Sequence, residues 1–387
     1  MINLPTYQNS LEPYKLSGKP ILPRPPKVNF TRTAFAAAHI VSNPLGERNP
    51  WNGRPSIDWN NTLQFRHYLW NQGLGLAEAM DTAQRGMGID WQTAKELIER
   101  TMREAKAHPH NPRVACGAGT DQYPVDELTD LNKITAAYME QMEAIETAEG
   151  QVIIMASRAM AKHARGSDNY INVYSKLISQ AMEPVILHWL GDMFDPALKG
   201  YWGHDNVTEA SETVLSIINS HSEKIDGIKI SLLDQGMEER FRTQLPEGVK
   251  LYTGDDFNYP QLIAGDGENF SDALLGIFAA ISPAAAQALE ALAQGNLTRY
   301  HELFSPTVPL SREIFKDPTR YYKAGIAFLA WLNGIQSHFV MPFGLQSSRE
   351  IAHYAEIFRL ADMSGLLANP DLATHRMQTL LNLHGVD

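Results

Sequence analysis

Ile225-Asp226-Gly227-Ile228-Lys229-Ile230-Ser231 is a short apolar run with one lysine set inside it, and Val249-Lys250-Leu251-Tyr252-Thr253 follows, closed by Gly254-Asp255-Asp256. Runs of this length, rich in β-branched and aromatic residues and bounded by glycine and acidic turns, predict strands. Working outward, further runs occur at Thr33–Val41, Leu74–Met80, Arg113–Ala118, Gln151–Ala156, Pro184–Trp189 and Ala273–Ala280. Helix-like sequence lies after each. Trp91–Ala107 carries small or apolar residues at Ala94, Leu97, Ile98 and Met102 with charges between them, and Ser211–Ser220 and Ala284–Ala293 read alike. Pro283 suits a first helical turn. Eight alternations of strand and helix predict an α/β protein, a TIM (β/α)8 barrel. Strand signals stop near Glu302, and Arg320–Trp331, Ser348–Ala361 and His375–His384 predict helices. The expected organisation is a proline-rich arm over residues 1–30, the barrel over 31–304 and a C-terminal helical extension over 305–387.

The composition narrows the function. A chain of 387 residues with 44% hydrophobic and 20% charged residues buries a large core without staples. Its single cysteine, Cys116, excludes a disulfide framework within the chain and any cysteine-rich metal site, and suits a reducing cytoplasm. The formal charge is −11, and the densest basic stretch, Lys15–Arg32, is interrupted by Pro20, Pro23, Pro25 and Pro26. That pattern argues against a nucleic-acid binder. Met1–Ser10 has neither a basic start nor an apolar core, and no segment is long and apolar enough to span a bilayer. The expected partner is a small molecule, not nucleic acid or membrane.

Active sites of such barrels lie at the C-terminal ends of the strands. The polar residues expected there are His39, Asp81, Thr82, Gln84, Thr120, Asp121, Ser157, Arg158, with His163 further on, His188, Asp192, Lys229, Ser231, Thr253, Asp255 and Asp256. Lys229 is the sharpest of them. A lysine inside a short apolar strand is costly unless it is paired or exposed, and burial lowers its pKa. The neutral amine attacks a carbonyl to form an iminium, an electron sink for breaking a neighbouring bond. The ordinary alternative is a strand-end lysine with its ammonium in water. His188 titrates near neutral pH and suits proton transfer, although a hydrogen-bonded core histidine is the commoner case. Gly254 permits close backbone approach, and the two acids after it either orient the lysine or cap a helix. A competing possibility is a divalent-metal isomerase or hydrolase built on His39, His188 and Asp192, although no fixed metal-binding spacing is present. A third is a barrel that binds a metabolite without turning it over.

In this order, Asp226-Gly227-Ile228-Lys229, Gly254-Asp255-Asp256, Ile281-Ser282-Pro283, Met341-Pro342 and Ser364-Gly365-Leu366-Leu367 resemble the dihydrodipicolinate synthase / N-acetylneuraminate lyase superfamily. The resemblance spans roughly residues 30–370 and is best from 180 onward. It implies that Lys229 is the Schiff-base lysine, that no cofactor or metal is needed, and that the chain assembles as a homodimer or homotetramer. The chain departs from the family at three loops. The family's Tyr-Asn-Val-Pro-Gly-Arg is matched by His188-Trp189-Leu190-Gly191-Asp192-Met193, so His188 replaces a relay tyrosine and Met193 a carboxylate-gripping arginine. Its Gly-Thr-Thr-Gly-Glu loop is matched by Met80-Asp81-Thr82-Ala83-Gln84, and its Pro-Pro-Tyr-Tyr by Ala156-Ser157-Arg158-Ala159. The chain thus resembles a divergent branch, the dihydrodipicolinate-synthase-like proteins of unassigned function. The resemblance with these changes implies a class I lyase of aldolase or dehydratase type. Its substrate would be a carbohydrate-derived carbonyl compound, a keto sugar or sugar-derived 2-oxo acid. Lys229 and His188 would be catalytic, and Asp81, Thr82, Gln84, Arg158, Ser231, Gly254 and Asp255 would bind the substrate.

Overall fold

In a strand, successive side chains face opposite ways, so a strand closed into a barrel sends alternate residues to the barrel interior and to the surrounding helices. The computed structural model of the protein describes residues 1–46 and 55–386 and shows this division directly. An antiparallel hairpin of β1 (Ile2–Pro5) and β2 (Leu11–Tyr14) comes first. The barrel strands follow: β3 (Ala34–Ala37), β4 (Gly75–Glu78), β5 (Val114–Ala118), β6 (Gln151–Ile154), β7 (Val185–Leu190), β8 (Ile225–Ser231), β9 (Lys250–Thr253) and β10 (Asp272–Leu275). They close as β10-β3-β4-β5-β6-β7-β8-β9, every pair parallel. Helices surround the closed sheet and continue past it, so the chain is a TIM barrel with C-terminal helices.

Phe35, Ala37, Ala77, Ala115, Ile153, Ile186, Tyr252 and Leu274 fill the barrel interior. Val185, Leu187 and Trp189 on β7, and Ile228 and Ile230 on β8, belong instead to the layer between sheet and helices. The alternation therefore turns Ile186 and His188 of β7, and Gly227, Lys229 and Ser231 of β8, to the inside. On β4 the outward Glu78 meets Arg66 of the helix Trp59–Trp70, with both oxygens bonded at 2.9 Å. Arg66 also donates to the carbonyls of His39 at 2.6 Å and Thr62 at 3.0 Å, while Thr101 and the amide of Ala79 donate to Glu78. All of this lies out of reach of water.

Several expected elements have different bounds. The first barrel strand stops at Ala37, and residues 38–41 continue as buried irregular chain. The run Ala273–Ala280 is not one strand: β10 ends at Leu275, and a helix starts at Phe278 and runs to Ala293. A fully buried helix and a fully buried strand are both apolar throughout, so hydrophobicity did not separate them. Pro283 lies inside that helix, not at its start. It has no N–H to give the preceding turn, and the helix kinks at Ile281, whose φ and ψ are −111° and 18°.

The proline-rich arm begins with the hairpin, which packs on the helix Ile351–Met363. Asp362 accepts from Tyr14 Oη at 2.8 Å, from the amide of Ser17 at 2.9 Å and from that of Gly18 at 3.1 Å. Arg359 donates to the carbonyls of Leu4 and Pro5 at 3.1 and 3.2 Å. The first hairpin and the segment after it are thus fastened to a helix that lies beyond the barrel in the chain. The C-terminal helices Lys323–Leu332, Ile351–Met363 and Pro370–Leu383 lie close to their expected positions. Among the described residues, no helix is long and apolar enough to cross a membrane.

Candidate functional site

His188 and Lys229 stand opposite each other in the β7–β8 register, both on inward positions and both buried. Among the described residues, neither ring nitrogen of His188 has a hydrogen-bond partner. Burial, and then the charge of Lys229, hold its imidazole well below its usual pKa, so it is neutral with two unoccupied nitrogens. Burial also lowers the Lys229 pKa, partly offset by Asp81 and Asp256. The lysine has room only because residue 254 is glycine. A β-carbon there would lie 2.8 Å from Lys229 Cε, 2.1 Å from Ser231 Oγ and 2.7 Å from the carbonyl of Ile230. Gly254→Ala is expected to lower stability by about 1–3 kcal/mol through overpacking against backbone. It should also displace Lys229, which amine-labelling kinetics would read against wild type.

Above the lysine, a cavity of ≈ 440 Å³ opens at the C-terminal ends of the strands. Asp81, Arg85, Thr120, Asp121, Ser157, Arg158, His188, Asp195, Arg320 and Lys323 supply its polar lining, with Met155, Leu190 and Phe194 among the apolar residues. Asp81 sits just beyond Ala79, which holds a left-handed φ of 52° with its amide on Glu78 at 2.8 Å. Burial favours a protonated Asp81, but Lys323 and then Lys229, with a hydrogen bond from Tyr322, outweigh it and hold the carboxylate ionised below the usual range. Tyr322 Oη donates to Asp81 at 3.0 Å and also bonds Thr82. Arg85 holds the next loops in place. Its guanidinium reaches both oxygens of Asp121 at 2.9 and 2.6 Å and also bonds Gln141 and the carbonyl of Gly117. Burial alone would raise the pKa of Asp121, yet Arg85 brings it to about 2.

The structure brings Asp81, Arg158 and His188 to one cavity, with Lys229 beneath and Thr82 behind Asp81. Arg158 opens the helix Arg158–His163 and pairs with Asp195 at 2.6 Å. Thr120, Asp121 and Ser157 line it too, whereas Lys229 itself and the remaining expected residues lie outside the lining. Gln84 is buried with a left-handed φ of 64°, and neither its side-chain oxygen nor its nitrogen has a partner. Ser231 and Gly254 shape the wall around Lys229. Asp255 turns to its own loop, accepting from the amides of Phe257 at 2.8 Å and Asn258 at 3.0 Å and from the Asn258 side chain at 2.9 Å. The acid that feels Lys229 is its neighbour Asp256, buried and bonded to the amide of Ile277 at 2.9 Å. His39 is buried against Gln336 at 2.7 Å, and Asp192 is exposed, so neither joins His188. Among the described residues, no three His, Cys, Asp or Glu side chains gather as a metal site.

Burial pushes Asp256 up to about 8, against the pull of the Ile277 amide and Lys229. The folded-state pKa is thus raised above the unfolded value, so folding favours the proton. Stability conferred by that proton is fully present below about pH 4 and is lost as pH rises toward about 8. Asp256→Asn should therefore gain stability on wild type across that window. The expected gain is at least about 1.4 kcal/mol, the worth of one pKa unit. Denaturant unfolding of both proteins at several pH values checks this; a constant difference contradicts it.

Reading the residues alone missed Tyr322 and Lys323, which come from the C-terminal extension. One signal was present: Lys323 is the only charged residue in Lys323–Leu332, a helix buried along its whole length.

Comparison of the fold places the protein with solved dihydrodipicolinate synthase structures. A putative dihydrodipicolinate synthetase from Pseudomonas aeruginosa superposes with a TM-score of 0.63 at 15% identity, covering 85% of this chain and 99% of its own. The dihydrodipicolinate synthase from Aquifex aeolicus gives 0.61 at 9% identity, covering 92% and 98%. A prophage protein of the dihydrodipicolinic acid synthase family from E. coli K12, solved in complex with pyruvate, gives 0.63 at 11% identity, covering 92% and 99%. At these identities the likeness establishes the fold. A search of curated protein sequences finds no match. A family profile matches residues 2–386, and the chain belongs to that family, described as protein of unknown function (DUF993).

Proposed function

We propose that the protein is a class I lyase in which Lys229 forms a Schiff base with a small carbonyl compound. One observation carries this reading. Lys229 is a buried lysine on an inward barrel position, facing a histidine with two unoccupied nitrogens and lying close to an ionised Asp81. The shared fold with dihydrodipicolinate synthases supports it by analogy.

In the neutral form, Lys229 Nζ adds to the carbonyl carbon, and one proton passes from the nitrogen of the adduct to the former carbonyl oxygen, giving a carbinolamine. A second proton then expels that oxygen as water and leaves the iminium. The bond from the α-carbon to the hydroxyl-bearing β-carbon then breaks: the β-hydroxyl gives up its proton, the β-fragment leaves as a carbonyl compound, and the electron pair enters the iminium as an enamine. Protonation of the enamine carbon and hydrolysis return the free lysine. His188 moves protons at the carbonyl oxygen and substrate hydroxyl. Protonated Asp256 is a donor close to the amine. Asp81, held by Tyr322 and backed by Thr82, accepts a proton from or orients a substrate hydroxyl. This polar set suits a keto sugar or sugar-derived 2-oxo acid, handled in the cytoplasm by a homodimer or homotetramer.

Cyanoborohydride with candidate keto sugars and 2-oxo acids, followed by intact-mass measurement and peptide mapping, tests the reading. The expected product is one hydride-fixed adduct per chain on Lys229. Turnover of a substrate with no adduct on Lys229 at any concentration refutes it.

A further inference from the structure

Lys323 opens the helix Lys323–Leu332 and is 3% exposed, yet it lines the cavity. Its ammonium donates to the carbonyl of Arg320 at 3.4 Å and to Met87 Sδ at 3.6 Å, and among the described residues it makes no ion pair, Asp81 and Asp195 acting on it only at longer range. This placement is unfavourable three times over. Burial strips water from the charge, as its lowered pKa reflects. The start of a helix favours anions and disfavours cations. The two carboxylates that act on it, Asp81 and Asp195, have other partners in Tyr322 and Arg158.

The remaining charges of the cavity agree. Arg85 is taken by Asp121 at 2.6 Å, and Arg158 by Asp195 at 2.6 Å. Asp90 is engaged in an interaction of its own. Arg320, exposed at the rim, has no ion pair among the described residues. Two cations without an ion pair among the described residues, Lys323 and Arg320, thus line the same cavity as Asp81 in a protein whose overall charge is −11.

We propose that Lys323, assisted by Arg320, binds an anionic oxygen group of the substrate, a carboxylate or phosphate, and so makes the protein selective for anionic carbonyl compounds. This rests on the carbonyl chemistry proposed for Lys229 and adds the substrate's charge to it. The anion gains the ammonium and the helix start together, in a site screened from water where such hydrogen bonds are strongest. The two residues come from the extension, so it would take part in choosing the substrate.

The test labels wild type, Lys323→Met and Arg320→Gln with cyanoborohydride, using pyruvate and levulinate as anionic probes and hydroxyacetone as the neutral one. Melting temperatures confirm folding, and Lys323→Arg keeps the charge. Wild type should be half-labelled at a lower concentration of the better oxo acid than of hydroxyacetone. Lys323→Met should lose roughly ten- to hundredfold toward the oxo acid, the range for one charge-assisted hydrogen bond, and far less toward hydroxyacetone. Arg320→Gln should lose less, and Lys323→Arg should recover part of the effect. Inorganic phosphate competing more strongly than acetate identifies a phosphate group; the reverse identifies a carboxylate. An equal loss toward both probe types, no loss, or an adduct on Lys323 itself overturns the proposal. If Lys229 is never labelled, the lyase reading fails alone, and calorimetric binding of the same oxo acids decides this one. Equal affinity in wild type and Lys323→Met, or no binding by wild type, then overturns it.

Discussion

Lys229→Met is expected to lose all hydride-fixed adduct and at least about a thousandfold in turnover, as befits removal of a covalent nucleophile. The same variant should unfold at a higher temperature than wild type. Lys229 is 6% exposed, and its charged form has lost its hydration. Methionine fills a similar volume with no charge to desolvate. The two effects therefore have opposite signs, which separates chemistry from folding. A variant that loses activity because it unfolds would show both falling. A variant that keeps its turnover would mean that the amine is not the nucleophile. Enzymes often keep a destabilising group where the reaction needs it, and the paired measurement asks whether Lys229 is one.

Glu78→Ala should have the largest effect on stability, about 3–5 kcal/mol, because it leaves the guanidinium of Arg66 buried without its carboxylate. Arg66 and Glu78 are both fully buried. The loss extends beyond the pair, since Thr101 and the amide of Ala79 also lose their acceptor. Replacing both partners, as Arg66→Met with Glu78→Met, should cost less than Glu78→Ala, because no uncompensated charge remains. Denaturant unfolding of the single and double variants provides the comparison. A double variant weaker than the single would show that the other bonds of Arg66, to His39 and Thr62, dominate.

The barrel was legible because its strands are short apolar runs separated by glycine and acidic turns, a local pattern. Lys229 and His188 were legible for the same reason: each is a polar residue at an inward position near a strand's C-terminal end. Beyond the strands, the pattern says less. Asp255 and Asp256 are neighbours in a turn where the two-residue alternation no longer applies. Only the structure shows that Asp255 binds its own loop while Asp256 faces the lysine. Gln84 follows a loop whose backbone turns left-handed at Ala79 and again at Gln84 itself. Tyr322 and Lys323 reach the cavity from far along the chain, and no local spacing announces a contact over such a separation. Ala273–Ala280 was misread because complete burial erases the polar face that distinguishes helix from strand.

The clasp between the first hairpin and the helix Ile351–Met363 bears on how the protein is made. A ribosome delivers the hairpin before the barrel strands and its partner helix after them, so Ile2 and Leu4 must wait for their cover until the barrel strands have all emerged. For that interval the nascent chain presents an uncovered strand pair, a feature prone to sticking to other chains. The Lys229 amine beneath the cavity is also made well before Tyr322 and Lys323, which complete the mouth above it. The clasp thus forms only after the barrel between its two halves has been made.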